Sequence, residues 1–370
     1  MAIDQKILEK ARRYDKDGKV ILSLEQKGFC VALLKNGKTA EKESNDPKEF
    51  HKLIKSSSVS WVDYIVEDLK RDAIATATSM GFSETLVSTL LKGASESGYE
   101  DLDVEMGLLV PVIYAKGFDV TIEHILVLLK PNVVVTIHTT EITRFFRLRR
   151  YGKIFMQKIK PRDAKEDQVT MVLTRILDEN NSRNFDALRH IEKTADGVSE
   201  KLSKIDTPRE EIGREIHFMK HALMVYLNGL WQTIDVLNTL RYGDPEILTD
   251  DDRLLARIGA LVIEVNYQIQ LAEHMGEVLA SGLEVMQSIY NNQLQILNNK
   301  LALLVGYLTV LGTAVLVPNT VATIFGVPFF TLGEDFLPYY LLIIIGSTVF
   351  SILIAWWWVK SSGLLPKRVD

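Results

Sequence analysis

Leu301–Phe325 reads LALLVGYLTVLGTAVLVPNTVATIF, twenty-five residues without a charge. At 1.5 Å of helical rise per residue, such a run covers the roughly 30 Å hydrocarbon core of a bilayer. A second uncharged run, Phe336–Val359, contains LLIII and ends in Trp356-Trp357-Trp358, where indoles favour the membrane interface. Soluble core helices are usually shorter and carry a polar, charged face, and neither run holds a charge. The two runs therefore predict a transmembrane hairpin joined by the loop GVPFFTLGED. That loop carries Glu334 and Asp335 and no basic residue, whereas Lys300 precedes the first span and Lys360, Lys367 and Arg368 follow the second. The positive-inside bias then puts both termini in the cytoplasm of a multi-pass protein of the plasma (inner) membrane. The N-terminal stretch Met1–Lys19 agrees, because it lacks the apolar run and small-residue cleavage site of a signal peptide.

Towards the N-terminus, no proline interrupts the chain between Pro245 and Pro318. A helix is predicted from about Asp251 through Lys300 into the first span, about 110 Å at 1.5 Å per residue. The preceding turn, YGDPEILTDDD, offers Thr249 or Asp250 as N-cap and acidic residues suited to the positive end of a helix dipole. A helix of that length needs partners. Bundling around a shared axis meets the need and sets about five copies of the first span around one path.

Between Lys165 and Arg241 the apolar residues recur at helical spacing in two stretches, which predicts two long antiparallel helices. Before them the pattern changes. VILSL, GFCVALLK, VSWVDYIV, GLLVPVIYAKG and VLLKPNVVVTIHT are β-branched runs punctuated by Gly, Pro and Asn, and they read as strands. Glu67–Met80 and Ser83–Lys92 have helical spacing, with Ser83 as an N-cap. The chain is thus expected to hold an α/β domain at 1–163 and a helical pair at 164–248. A stalk helix over 249–325 would include the first span, followed by an outer loop at 326–335, a second span at 336–359 and a basic tail at 360–370.

Several function classes are excluded. The net charge is −5 without a clustered basic face, which argues against nucleic acid as a partner. Cys30 is the only cysteine, so there is neither an intrachain disulfide framework nor a cysteine-based zinc cluster. No G-x-x-x-x-G-K-[ST], H-E-x-x-H or G-x-S-x-G motif occurs, which argues against an enzyme and against an ATP-driven pump.

On a helical wheel of the first span, Thr309, Gly312, Leu316, Asn319 and Thr323 share an arc of about a quarter turn, with Thr313 and Thr320 at its edge. Repeated about an axis, Asn319 makes a ring of carbonyl oxygens, and an amide within hydrocarbon is costly unless it lines water or bonds a neighbour. Leu316, one turn inward, makes an apolar constriction of the kind that gates by dewetting. The competing account is helix packing, in which small residues meet and each Thr bonds its own backbone. His217 and His221, four residues apart, share one helix face as a metal pair requires. The same spacing suits a solvated face, and no third ligand is evident.

The order of these elements resembles the CorA family of divalent-cation transporters over nearly the full chain. VTIEHILVLLKPNVVVTIH is similar to the hairpin that ends the family's N-terminal domain, and RYGDPEILTDDDR to the turn before its stalk helix. ILNNKLALL, with Asn298 and Asn299, is similar to the Ser-Asn-Lys stretch at the base of the pore helix. Gly326 follows at a family-like distance. The resemblance implies a homopentameric funnel that carries Mg²⁺ or Co²⁺, with the divalent cation as substrate, no cofactor, and a cytoplasmic domain that gates. It also implies regulation by internal Mg²⁺ through carboxylates between the first domain and the stalk, where LVIEVNYQIQ offers only Glu264. Where the family carries Gly-Met-Asn, this chain has Gly326-Val327-Pro328, and neither Val nor Pro offers a polar side-chain atom to a hydrated ion. Glu334 and Asp335 remain to concentrate cations. Two other readings stay open: a transporter of a softer metal such as Zn²⁺, as in the related ZntB group, and a non-transporting scaffold or sensor on the same fold.

Overall fold

The computed structural model describes residues 12–14, 20–22, 26–92, 98–202, 209–242, 245–327 and 336–361. Contacts divide the chain into two compact units, Met1–Leu279 and Ala280–Asp370.

The first unit is built on strands β1 (Arg12–Tyr14), β2 (Val20–Leu22), β3 (Gly28–Leu34), β4 (Thr39–Ser44), β5 (Ser57–Val66), β6 (Gly98–Asp101), β7 (Met106–Lys116), β8 (Asp119–Lys130) and β9 (Val133–Thr139). β1 and β2 pair with each other, and the remaining seven form one sheet in the order β4-β3-β5-β9-β8-β7-β6. Among them only the β5–β9 pair is parallel, with Val62 opposite Val135. Helices α1 (His51–Ser56), α2 (Leu69–Ser79) and α3 (Glu84–Lys92) occur between strands; α4 (Phe145–Met156), α5 (Lys165–Leu202) and α6 (Arg209–Tyr242) follow them.

Helices cover both faces, which is why the strand sequences are nearly continuous apolar runs instead of alternating ones. Cys30, Val62, Leu126, Leu128 and Val135 pack with α2 and α3 through Ala73, Ala77, Leu86 and Leu90. Val31, Trp61, Val110, Val127 and Val134 pack on the other face with Phe145, Leu173, Tyr226 and, from the stalk helix, Val265 and Ile269. Ser83 caps α3 as its sequence suggests, accepting from Leu86 N at 3.3 Å. Helix α4 was not expected: it lies within a stretch whose strand runs dominate, and its amphipathic face buries Phe145, Leu148 and Met156.

Gly28 marks a close approach on this sheet. A Cβ there would stand 2.7 Å from the Ser44 carbonyl oxygen and 2.7 Å from the Tyr64 ring. One of the two obstacles is backbone and cannot rotate away. Gly28→Ala is therefore expected to lower stability by about 1–3 kcal/mol, read as an earlier urea midpoint of the cytoplasmic-domain signal.

A buried polar cluster sits within the larger core. Asp63 on β5 accepts from Arg149 Nε on α4 at 2.5 Å and from Thr136 Oγ1 on β9 at 2.5 Å, and it lies 3.1 Å from His138 Nε2. Burial alone would raise the Asp63 carboxyl, but Arg149 and then His138 outweigh it and hold the group well below the ordinary carboxylate range.

Helix α7, Asp252–Phe325, runs 74 residues and continues through Pro318. Its N-cap is Asp251, one residue beyond the predicted choices: Asp251 Oδ1 accepts from Arg253 N at 2.7 Å. Thr249 turns back instead, its hydroxyl bonding Asp167 on α5 and accepting from Asp251 N at 2.9 Å. Helix α8, Leu337–Ser361, completes the second unit. The apolar stretches of α7 and α8 are long enough to cross a membrane and are almost wholly unburied within the chain, unlike the core helix of a soluble protein.

Candidate cation pathway

The site begins with which side of the first span is free. On α7, Leu303, Gly306, Val310, Ala314, Pro318, Val321 and Phe325 are partly covered, whereas Thr309, Gly312, Leu316, Asn319 and Thr323 are exposed. At 100° per residue the two sets fall on opposite sides of the helix. Phe325 meets Tyr340 of α8 edge-on, with centroids 5.9 Å apart. Helix α8 thus takes the side away from the Thr/Asn arc and leaves that arc open.

The threonines then present a particular chemistry. Each donates its hydroxyl hydrogen to a carbonyl one turn back on its own helix: Thr309 to Val305 at 2.9 Å, Thr313 to Thr309 at 2.6 Å, Thr320 to Leu316 at 2.8 Å and Thr323 to Asn319 at 2.7 Å. With the proton so used, the outward side of each oxygen holds lone pairs, which suit a cation or its water shell and not an anion. The same bonds satisfy the packing account of any single Thr. Asn319 is different, for its exposed side-chain amide has no hydrogen-bond partner among the described residues.

The other predicted positions divide. Asn298 and Asn299 are exposed on α7 just before the first span. Gly326 closes the helix, its N–H donating to the Ala322 carbonyl at 3.0 Å, and Val327 N follows onto Ile324 O at 3.3 Å. Pro328, Glu334 and Asp335 lie outside the described residues, as does the tail with Lys367 and Arg368. His217 and His221 are both exposed on α6. Among the described residues no three His, Cys, Asp or Glu side chains gather as a metal site, so the structure does not bring His217, His221 and Glu264 together. Glu264 is exposed on α7, and its carboxyl is pushed up by partial burial and by Asp178, with a hydrogen bond from Asn181 opposing.

A family model described as CorA-like Mg2+ transporter protein matches residues 56–361. The chain belongs to the CorA family. Its members move divalent cations through membranes and are not enzymes, and the cation is substrate instead of cofactor. Among solved structures, the complete CorA magnesium transporter of Methanocaldococcus jannaschii is similar at 19% identity and a TM-score of 0.64, covering 91% of this chain and 98% of that one. The soluble domain of the same CorA matches at 19% identity and 0.54, covering 70% of this chain and 96% of that one. A full-length CmaX protein matches at 13% identity and 0.53, covering 92% and 99%. Among curated proteins no match is found. At such identities the structures establish a shared fold.

Within this CorA-family fold the sequence pattern missed one tie between stalk and sheet domain. Gln268 of α7 is fully buried, accepting from Tyr226 Oη at 3.0 Å and donating to Asn181 at 3.0 Å. Tyr226 Oη also lies 3.2 Å from the Asn184 carbonyl, which shares its one hydroxyl hydrogen with Gln268, and the Asn184 side chain accepts from the buried Arg144 at 2.8 Å. The signal was present: Leu261, Val265, Gln268, Ala272 and Met275 follow the spacing of one buried seam, and Gln268 is its polar member. Gln268→Leu removes the bond to Asn181 Oδ1 and leaves Tyr226 Oη only the Asn184 carbonyl, and it is expected to cost about 1–3 kcal/mol. Hydrogen exchange of the first turns of α7 would read the loss.

Proposed function

We propose that the protein forms a homopentameric pore for hydrated divalent cations, Mg²⁺ foremost, with both termini in the cytoplasm and flux driven inward by the membrane potential. The observation that carries this reading is the open arc of α7, where Thr oxygens turn lone pairs outward and the Asn319 amide lacks a partner. An amide left alone in hydrocarbon is costly, and a water-filled axis relieves the cost. A ring of neutral oxygens suits an ion that surrenders its hydration shell reluctantly, because the ring bonds the shell without stripping it. Selection by this ring would stand in for the missing Gly-Met-Asn.

Assembly has its own support. Beyond Ala280, α7 exposes Leu283, Leu294 and Leu297 at heptad-compatible positions ahead of the membrane span, a seam that further copies of the same helix would cover. No nucleotide is required, since each charge falling through 100 mV yields about 2.3 kcal/mol. In this account the first unit is the gate, coupled to the pore through the continuous α7.

The test is flux into proteoliposomes of the purified protein, comparing Mg²⁺, Co²⁺, Ni²⁺ and Zn²⁺ with and without an imposed potential. Saturable, potential-dependent Mg²⁺ entry is expected. Entry of Zn²⁺ alone would assign the softer-metal class, and no entry of any ion would assign a scaffold.

A further inference from the structure

Helices α7 and α8 pack along a seam with one register. From the ring contact of Phe325 with Tyr340, steps of 4, 7, 11, 15 and 19 positions back along α7 and forward along α8 reach a covered residue on both helices. Antiparallel helices of equal rise keep such a register along their length. It sets Ala314 level with Ser351 and Pro318 level with Ser347.

The two helices are unequally supplied with donors along this seam. Pro318 has no N–H, so the Ala314 carbonyl lacks the donor that an α-helix normally supplies four residues on. Ala314 and Pro318 both lie on the covered side, where neither water nor lipid offers a hydrogen. Level with them, α8 has hydroxyls to spare. Ser351 is 8% exposed and donates to the Ser347 carbonyl at 2.6 Å, while Ser347 and Thr348 both donate to the Ile344 carbonyl, at 2.8 and 2.7 Å. Those carbonyls also stand four residues before the N–H groups of Ser351 and Thr348 in a continuous helix, so the hydroxyl bonds are second ones. A serine hydroxyl rotates about its own bond, and hydroxyls of a neighbouring helix are one way a membrane span satisfies a carbonyl freed by proline.

We propose that Ser351, with Ser347 beside it, is a positioning residue of the cation pathway, turning its hydroxyl from its own helix to the Ala314 carbonyl and so locking α7 at Pro318. The joint then has two settings. With the hydroxyl on the Ser347 carbonyl, as in this structure, the halves of the first span are joined at Pro318 by one backbone bond fewer, and the helix bends there at little cost. With it on the Ala314 carbonyl, α8 braces the joint. Leu316 lies on the inner side of Pro318 and Asn319 on the outer side, so the angle of the joint sets how the apolar constriction and the amide ring line up. Ser351 is on the side of α7 turned away from the Thr/Asn arc and acts only through α7. The effect on flux rests on the pore reading given above; the tie between the helices does not.

The test is a double-mutant cycle on the full-length protein in proteoliposomes, joined to the ¹³C carbonyl resonance of Ala314, which moves when its hydrogen bonding changes. Ser347→Ala with Ser351→Ala is expected to shift that resonance and to change Mg²⁺ flux by about fivefold, the worth of one net hydrogen bond. In a Pro318→Ala background, where residue 318 regains its N–H, the same serine substitutions are expected to leave both readings unchanged. Effects of equal size in the two backgrounds would reduce the serines to packing, and an unmoved resonance would remove the tie; either result overturns the proposal. A shifted resonance without a change in flux would overturn the positioning role. Absence of flux in the wild type would overturn the pore reading and with it the positioning role, while the resonance still decides the tie.

Discussion

Asn319→Leu is expected to reduce saturable Mg²⁺ flux in proteoliposomes by about tenfold or more while the oligomer stays intact. Leucine is close to asparagine in size and more soluble in lipid, so the span inserts and packs as before. What disappears is one carbonyl oxygen per subunit around the axis. Each hydrogen bond to a hydrated cation is worth roughly 1 kcal/mol net, and losing several from one ring exceeds the 1.4 kcal/mol that corresponds to a factor of ten. The threonine oxygens sit at other levels of the span and do not fill the ring that Asn319 vacates, and Thr323, whose hydroxyl donates to Asn319 O at 2.7 Å, offers one acceptor without a donor. Thr323→Val should accordingly have a smaller effect than Asn319→Leu. Equal flux in wild type and Asn319→Leu, with the oligomer confirmed by size-exclusion chromatography with light scattering, would remove Asn319 from the pathway.

Asp63→Asn should destabilise the cytoplasmic domain by about 3–5 kcal/mol. The substitution keeps the shape but removes the charge that balances Arg149, which is 8% exposed and has its Nε on Asp63 Oδ2 at 2.5 Å. An unbalanced guanidinium in that core is the penalty. Replacing both partners by apolar residues, Asp63→Leu with Arg149→Met, should recover much of the loss, because a buried pair gains little over a well-packed apolar one. Urea midpoints of the three proteins distinguish the two effects. The pair also sets a pH dependence. The folded state holds the Asp63 carboxyl below its unfolded value, so its stabilisation is fully present above about pH 4–5 and is lost as pH falls further. The gap between wild type and Asp63→Asn should thus be constant from neutral pH down to that range and shrink below it. A gap that grows on acidification would show that Asp63 is not the charged partner of Arg149.

The sequence by itself determined the membrane hairpin, the continuous α7 and the two long helices before it. These depend on local properties: an uncharged run long enough to span, an absence of proline, and a helical period sustained over many turns. The Thr/Asn arc was legible for the same reason, since a wheel needs only the period. Only the tertiary structure decided which side of α7 is free, because that depends on where α8 packs, and α8 is apolar all round and shows no preferred face in its own sequence. It also decided that Asp63, Thr136, His138 and Arg149 form one buried cluster. They lie on three elements, β5, β9 and α4, up to 86 positions apart, and nothing in local spacing couples them. The same holds for His217 and His221. Their spacing permitted a metal pair, but a third ligand is a matter of what other elements bring near, and among the described residues none is brought. Periodicity reports which face of an element is apolar; the partner of that face is chosen by packing across the chain, where the energy of burial is collected.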